Sequence, residues 1–501
     1  VIRKLLVANR GEIACRVIRA AREMGTATVA VFSEVDKDAL HTKLADEAVC
    51  IGPPEPSGSY LDMERIIAVA KERGADAVHP GYGFLSERAE FSESCEKAGL
   101  VFVGPPPKAM RKLGSKIDSK KLAVGCKVPV TPGYFEPGAS AADLKVEAMK
   151  VGYPVVLKAS AGGGGRGMRV VRSAEDFERE FELASEEAVK AFGDGAMMVE
   201  KLVENPRHIE VQVLADKHGN VACLFERECS LQRRHQKVVE EAPSAFMGAK
   251  LWTKMRDAAA KLVSAAGYSN AGTVEFMVDP ASGEFYFLEV NARLQVEHPV
   301  TEMVTGIDLV QWQLRVASGE TLSLPAPLMK GDRTALRGHA IEARVISEDP
   351  ARGFLPSVGK LVGWAPPLDP TVRVDTGYGP GAEVSRYYDS LLAKVVVMGE
   401  TRAAAIAKLR AALMDFHILG VTTNVPYLLD VLAHEAFVAG EFDTGFLGRE
   451  FGEWSADGDV PDELAALLAE GPLDRGGPAG GPRRVVTPAW GRGDGFRVTG
   501  P

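Results

Sequence analysis

Residues 155–171 read Val155-Val156-Leu157-Lys158-Ala159-Ser160-Ala161-Gly162-Gly163-Gly164-Gly165-Arg166-Gly167-Met168-Arg169-Val170-Val171. An apolar strand enters a glycine loop, and a second strand, Met168 to Val171, leaves it. Five glycines fall within six residues. Without side chains, their backbone N–H groups can approach phosphate oxygens and form an anion-binding concavity. Lys158 and Arg166 flank it with positive charge. The Gly-x4-Gly-Lys-Ser/Thr order of a Walker loop is absent, and a strand follows rather than a helix. The pattern predicts a flap between two strands that covers a triphosphate. A surface turn is the alternative, at a high entropic cost for so many glycines.

On the N-terminal side, strands at Lys4–Ala8, Thr28–Phe32 and Ala77–His79 alternate with helices at Ile13–Met24 and Leu61–Arg73. This spacing predicts parallel βαβ units, with the Asn9 and His79 loops at the carboxyl ends of strands, where such sheets bind ligands. On the C-terminal side, Ala174–Ala191 reads as a charged amphipathic helix. Val199, His208–Leu214 and Val221–Phe225 read as strands of one antiparallel sheet, and Trp252–Ala266 as a helix. Thr273–Val278 and Glu284–Val290 form a hairpin around Asp279-Pro280-Ala281-Ser282-Gly283. A further unit carries strands at Gly338–Ile346, Lys360–Trp364 and Thr371–Val374 and a helix at Arg402–Leu413. The fold class expected is α/β and α+β, divided as 1–114, 115–330, 331–447 and a tail at 448–501. The last 51 residues hold eleven glycines and six prolines, a linker composition with one helical run, Asp462–Glu470. Residues after Leu447 lose apolar periodicity and gain glycine and proline, so a fragment of a longer subunit is expected over a free chain with a vestigial tail.

The chain has 501 residues, with 59 Lys plus Arg against 68 Asp plus Glu and a net charge of -9. That balance excludes a generally basic nucleic-acid coat. No apolar run reaches the roughly 18 residues that span a bilayer, so no membrane partner is expected. Six scattered cysteines form no CxxC pair, which argues against a disulfide framework and makes the reducing cytoplasm the default location. Val1 to Arg10 lacks the pattern of a signal peptide.

If Asp279 pairs with Phe285, the same register sets Glu275 opposite Glu289 on one face, with Asn291 continuing it. Like charges there repel unless cations sit between them, and Mg²⁺ fits. Phe285 and Phe287 are expected on the same face as Glu289, enclosing it. A solvated edge is the alternative. In Asn291-Ala292-Arg293-Leu294-Gln295-Val296-Glu297-His298-Pro299, Arg293 can grip a small carboxylate-like anion bidentately, and Glu297 can act as a base. A salt-bridged loop explains those residues equally well. The basic run Arg227, Arg233, Arg234, His235 and Lys237 lacks interleaved aromatics, so nucleotide phosphates are a better ligand than nucleic acid. His208 and Glu210 alternate on one strand face and read as a hydrogen-bonded pair. Cys229 lies in the basic run, where a thiol can become a reactive thiolate, but no nearby histidine–asparagine arrangement makes it a nucleophile.

Taken together with Asn9-Arg10-Gly11-Glu12-Ile13-Ala14, His79-Pro80-Gly81-Tyr82-Gly83-Phe84-Leu85-Ser86-Glu87, Arg233-Arg234-His235-Gln236-Lys237 and Arg293 to Glu302, the chain resembles biotin carboxylase, the ATP-grasp component of biotin-dependent acyl-CoA carboxylases. The resemblance covers about residues 2–447. It implies an ATP-grasp fold with an N-terminal Rossmann-like preATP-grasp domain and a C-terminal mixed domain. It implies ATP, bicarbonate, two divalent ions (Mg²⁺ or Mn²⁺) and carrier-bound biotin as ligands. The implied partners are a biotin carboxyl carrier protein or domain, a carboxyltransferase subunit and a second copy in a homodimer. The implied reaction passes through carboxyphosphate to N1-carboxybiotin.

By the resemblance, Lys116, Lys158 and His208 contact the nucleotide, with Gly163, Gly164 and Gly165 in its flap and Gln232 and His235 beside it. Glu200, Lys201 and Val203 match the adenine hinge and Met277 its apolar floor. Glu275, Glu289 and Asn291 match metal ligands. Arg293, Gln295 and Val296 match the bicarbonate pocket, with Glu297 as base and Lys237 near the transferring phosphoryl. Arg344 matches the guanidinium that steadies the biotin enolate, and Tyr82 borders biotin. Ala292 stands where the acyl-CoA class usually has threonine, and Ala161 where the flap often has glycine. Pro299 favours the acyl-CoA class over the pyruvate class. Glu147-Ala148-Met149-Lys150-Val151 resembles a biotinylation sequence, but Lys150 lies in a helical stretch and reads as a helix lysine. Another ATP-grasp ligase, or a non-catalytic nucleotide-binding scaffold, would share part of this pattern.

Overall fold

Leu5, Leu6 and Val7 are fully buried, as befits a parallel strand covered on both faces. A computed structural model describes residues 1–136, 138–160 and 167–455. The expected flap residues 161–166 and the tail beyond 455, including the helical run Asp462–Glu470, lie outside the described residues. Five parallel strands form the N-terminal sheet in the order Glu47–Gly52, Ala27–Ser33, Lys4–Val7, Ala77–His79, Val101–Phe102. The order reverses between Lys4–Val7 and Ala77–His79. Their carboxyl-end loops, at Asn9 and Pro80, therefore open a crevice at the switch point.

The central sheet has eight antiparallel strands. They run Phe285–Asn291, Asn270–Val278, Arg207–Ala215, Val221–Arg233, Gln236–Ala242, His339–Ile346, Leu391–Gly399, Arg373–Thr376. The sheet thus continues through the ladder between Glu240 and Glu342 into the third stretch of sequence. A separate four-stranded sheet carries Gly133–Tyr134, Met197–Lys201, Val155–Ala159 and Met168–Val171, over its own core of Leu144, Leu157, Phe177 and Val199. Val199 therefore does not share a sheet with His208–Leu214, contrary to expectation. Its strand pairs with Val155–Ala159, and Pro206, lacking an N–H, separates it from the next strand. The expected strand Lys360–Trp364 is two, Gly359–Lys360 and Gly363–Ala365, drawn to different partners. Lys150 does sit in a helix, Ala141–Val151, which opens on a Ser140–Asp143 capping box. Among the described residues, no helix is long and apolar enough to cross a membrane.

Buried charges tie the N-terminal sheet to the rest. Lys394 has no solvent exposure; it lies 3.2 Å from Glu12 and donates to the Val296 carbonyl at 2.9 Å. Arg16 reaches Glu302 at 2.8 Å, and Arg373 reaches the same carboxylate at 2.7 Å. Among the described residues, Arg227 is the largest fully buried side chain. It donates to Glu210 (2.5 Å), Gln212 (2.6 Å), Thr301 (2.9 Å) and Thr273 (3.1 Å). A guanidinium is tolerated in an interior only when its donors are met this way. Arg227→Ala should therefore lower stability by about 3–5 kcal/mol, read as a lower denaturant midpoint. An unchanged midpoint would refute this account of the core.

Candidate functional site

A cavity of about 1340 Å³ opens between the N-terminal loops, the small sheet and the central sheet. At one end, the helix Lys116–Gly125 begins at Ser115, whose side chain accepts from the Asp118 N–H. Lys116 and Lys120, four residues apart, share the face that lines the cavity. Across from them, Glu200 lies opposite Val156 in the small sheet, so Lys158 is its diagonal neighbour on the same face. Lys158 donates to Glu200 at 2.8 Å, and Lys120 pairs with the other carboxylate oxygen. Burial alone would raise the Glu200 carboxyl, but the two ammoniums outweigh it and hold it at about 2. Burial pulls the Lys116 ammonium below its usual range, with Glu289 only partly opposing it. Met277, Val156, Met168 and Leu202 supply apolar wall.

The hairpin carries the acidic end. Glu275 does lie opposite Glu289, but Val278, not Asp279, pairs with Phe285. The register shifts once, between Glu275 and Phe276, where Leu288 is the additional residue. This bulge matters because a regular strand would put Phe285, Phe287 and Glu289 on one face. In the structure Phe285 and Phe287 pack on Phe276 in the core. Leu288, Glu289 and Asn291 line the cavity. The aromatic rings therefore do not share the carboxylate's face, as the alternation had implied.

Deeper in, the Lys237 ammonium donates to Glu210 (2.6 Å), Glu297 (2.6 Å), Glu275 (3.0 Å) and Gln295 (3.1 Å). The second oxygen of Glu297 accepts from Arg344 at 3.0 Å, and Arg344 also donates to Glu240 at 2.6 Å. Burial would raise the Glu297 carboxyl, yet Lys237, Arg344 and Arg227 hold it well below the usual range. Glu240 goes the other way. Burial pushes it up to about 7 despite Arg344, and Glu297 adds to the rise. Arg293 donates to Glu87 (2.9 Å), Asn291 (2.9 Å) and the Leu294 carbonyl (3.3 Å). Tyr82 hydrogen-bonds Glu12, and its loop is held by Asn9, which donates to the carbonyls of Pro80 (2.7 Å) and Tyr82 (2.8 Å). Gly81 has φ +64°, and a Cβ there would stand 2.8 Å from the Asn9 amide nitrogen, so only glycine fits.

Lys116, Lys158, Glu200, Lys201, Val203, His208, Gln232, His235, Lys237, Glu275, Met277, Glu289, Asn291, Arg293, Gln295, Val296, Glu297, Arg344 and Tyr82 all line this one cavity. Gly163, Gly164 and Gly165 lie outside the described residues. Of the basic run, Arg227 is buried in the core, while Arg233 pairs with Glu348 at 2.7 Å and stacks on Phe354. His208 and Glu210 are not bonded to each other: His208 faces Glu275 at 3.1 Å, and Glu210 holds Arg227 and Lys237. Cys229 is buried, and burial with Glu210 nearby holds its thiol protonated, so it is no thiolate. Lys120, Glu87, Glu210 and Glu240 had no assigned role. Glu87 stood inside a quoted motif and Glu210 beside His208, whereas nothing local marked Lys120 or Glu240.

Family models for "Biotin carboxylase, N-terminal domain", "Carbamoyl-phosphate synthase L chain, ATP binding domain" and "Biotin carboxylase C-terminal domain" match residues 1–110, 115–324 and 342–449. Biotin carboxylase 1 of Bacillus subtilis (strain 168) is 48% identical over 446 residues, covering 89% of this chain and 98% of that one. The chain belongs to the biotin carboxylase family. The biotin carboxylase–β,γ-ATP complex from Campylobacter jejuni superposes with a TM-score of 0.86 at 45% identity, covering 90% of this chain and 99% of that one. The biotin carboxylase domain dimer of Hydrogenobacter thermophilus 2-oxoglutarate carboxylase, in complex with MgADP, ADP and bicarbonate, gives 0.85 at 45% identity, covering 89% and 97%. The chemistry of the chain is ATP- and bicarbonate-dependent carboxylation of biotin.

The mitochondrial methylcrotonoyl-CoA carboxylase subunit alpha of Oryza sativa subsp. japonica is 51% identical over 449 residues, 89% of this chain and 60% of that one. The chain spans 60–63% of the length of six such subunits. All six are mitochondrial, which overturns the expected cytoplasmic location. That expectation rested on scattered cysteines, which do not separate the cytoplasm from an organelle.

Glu275, Glu289 and Asn291 offer oxygen donors of the kind that Mg²⁺ prefers. The Glu289 carboxylate accepts no hydrogen bond from a described residue, and burial beside Glu275 raises it. A divalent ion would supply the missing countercharge. Glu289→Gln should weaken Mg²⁺ binding at least tenfold, or about 1.4 kcal/mol, in a calorimetric titration with ADP present. Equal affinity would remove Glu289 from the ion's site.

Proposed function

We propose that this chain performs the first half-reaction of a biotin-dependent acyl-CoA carboxylase. Its substrates would be ATP, bicarbonate and biotin on a carrier protein or domain, and its products N1-carboxybiotin, ADP and phosphate. The observation that carries this reading is Glu297, ionised and clasped between Lys237 at 2.6 Å and Arg344 at 3.0 Å. A base so clasped is weak at rest, since good general bases titrate near the working pH. Attraction of Lys237 toward the transferring phosphoryl would release Glu297 and raise its basicity as bicarbonate arrives.

Bicarbonate, held by Arg293, Gln295 and the Val296 backbone, would lose its proton to Glu297 and attack the γ-phosphorus. The bond to the ADP oxygen breaks as the new P–O bond forms. Carboxyphosphate then yields CO₂ and phosphate, and the phosphate takes the N1 proton of biotin. The nitrogen attacks CO₂ while Arg344 stabilises the charge on the ureido oxygen. Mg²⁺ or Mn²⁺ on Glu275, Glu289 and Asn291 would neutralise the phosphate oxygens. Lys116, Lys158 and His208 would bind phosphates, and Glu200, Lys201, Val203 and Met277 the base. A carboxyltransferase subunit would consume the product, and a second copy of the chain would complete a homodimer. The methylcrotonoyl-CoA and propionyl-CoA carboxylase α chains among the relatives support this class of downstream acceptor.

Glu297→Gln should retain ATP affinity within about threefold but lose bicarbonate-dependent turnover by at least a hundredfold, about 2.7 kcal/mol in barrier. Parallel ATP titration and steady-state assays check this, and full turnover would assign the proton to another group. Arg344→Ala should depress carboxylation of free biotin at least tenfold more than the biotin-independent ATPase. Equal losses in the two assays would place Arg344 on the nucleotide or the fold.

A further inference from the structure

Glu200 has no solvent exposure, yet two ammoniums serve its one charge. They differ in setting. Lys158 stands on the strand that leads to the glycine loop, with 12% of its side chain exposed. Lys120 rises from the helix beneath, with 3% exposed. Lys116, one turn earlier on the same helix face, makes no ion pair among the described residues. Phosphates entering the cavity would attract the more exposed Lys158. Were Lys158 the sole partner of Glu200, that move would leave a buried carboxylate without a counter-ion, which is strongly unfavourable. The carboxylate would then compete with the nucleotide for the same ammonium.

We propose that Lys120 is the resident counter-ion of Glu200, keeping that charge paired when ATP draws the Lys158 ammonium onto its phosphates. Lys120 is then a positioning residue. It touches no substrate and acts through Glu200 to make Lys158 available. The inference rests on the reading of this cavity as the ATP site with Lys158 as a phosphate contact. It adds what that reading lacks, namely a reason for a third lysine beside one buried glutamate.

The test is a set of binding titrations with ATP and with adenosine, which has no phosphates. The proteins compared are wild type, Lys120→Met, Glu200→Gln and the double variant. Lys120→Met should weaken ATP at least about tenfold and adenosine by less than about twofold. In the Glu200→Gln background, where no carboxylate can be stranded, adding Lys120→Met should change ATP affinity by less than about threefold. Equal weakening of ATP and adenosine would overturn the proposal, because Lys120 would then shape the base pocket or the fold. So would an undiminished ATP loss in the Glu200→Gln background. Should Lys120→Met alone fail to fold, the comparison of Glu200→Gln with the double variant decides the matter. Failure of wild type to bind ATP would instead overturn the nucleotide reading on which this one stands.

Discussion

One ammonium, that of Lys237, holds four oxygen acceptors from different parts of the central sheet and the loop that follows it. An ammonium has three hydrogens, so four acceptors must share them. Glu210, Glu275 and Glu297 are each buried, and each would be strongly destabilising without a cation. Arg227 takes the other side of Glu210, His208 faces Glu275, and Arg344 completes Glu297. Strand register, loop path and side-chain direction all serve this balance of charge. The arrangement is closed except at Glu289, whose carboxylate has Glu275 for a neighbour and no hydrogen-bond partner among the described residues.

Glu297 also bridges two regions that the chain supplies separately. Lys237 belongs to the strand Gln236–Ala242, and Arg344 to His339–Ile346, which pairs with it. The Glu297 carboxylate is thus shared between two paired strands, one of which belongs to the third stretch of sequence. A movement of either cation changes the basicity of the same carboxylate. Such coupling needs no moving domain. It follows from low dielectric and from two partners on one group.

Much of this was legible in the sequence where chemistry is local. Arg293 to Glu297, which line the cavity, and the strand–helix alternation of the first hundred residues are short patterns with short-range causes. The opposition of Glu275 and Glu289 was also legible, although through a register one residue out at the turn. What escaped depends on distant partners. Lys120 shows nothing in its own helix, because the carboxylate that explains it is eighty positions away in another sheet. Val199 was placed in the wrong sheet because strand pairing is not written in any one strand. Cys229 read as reactive because burial is invisible in a basic run, and Arg227 read as a phosphate ligand for the same reason.

The bulge at Leu288 has a consequence for how this strand can vary in descent. Before it, odd-numbered residues face the core; after it, odd-numbered residues face the cavity. The two halves are therefore separate cassettes, one answering to aromatic packing and the other to charge. A one-residue insertion or deletion elsewhere within Phe285–Asn291 would turn one half against the other. Leu288 is the position that can be lost at least cost, since ordinary alternation would then leave Phe287 inward and Glu289 toward the cavity.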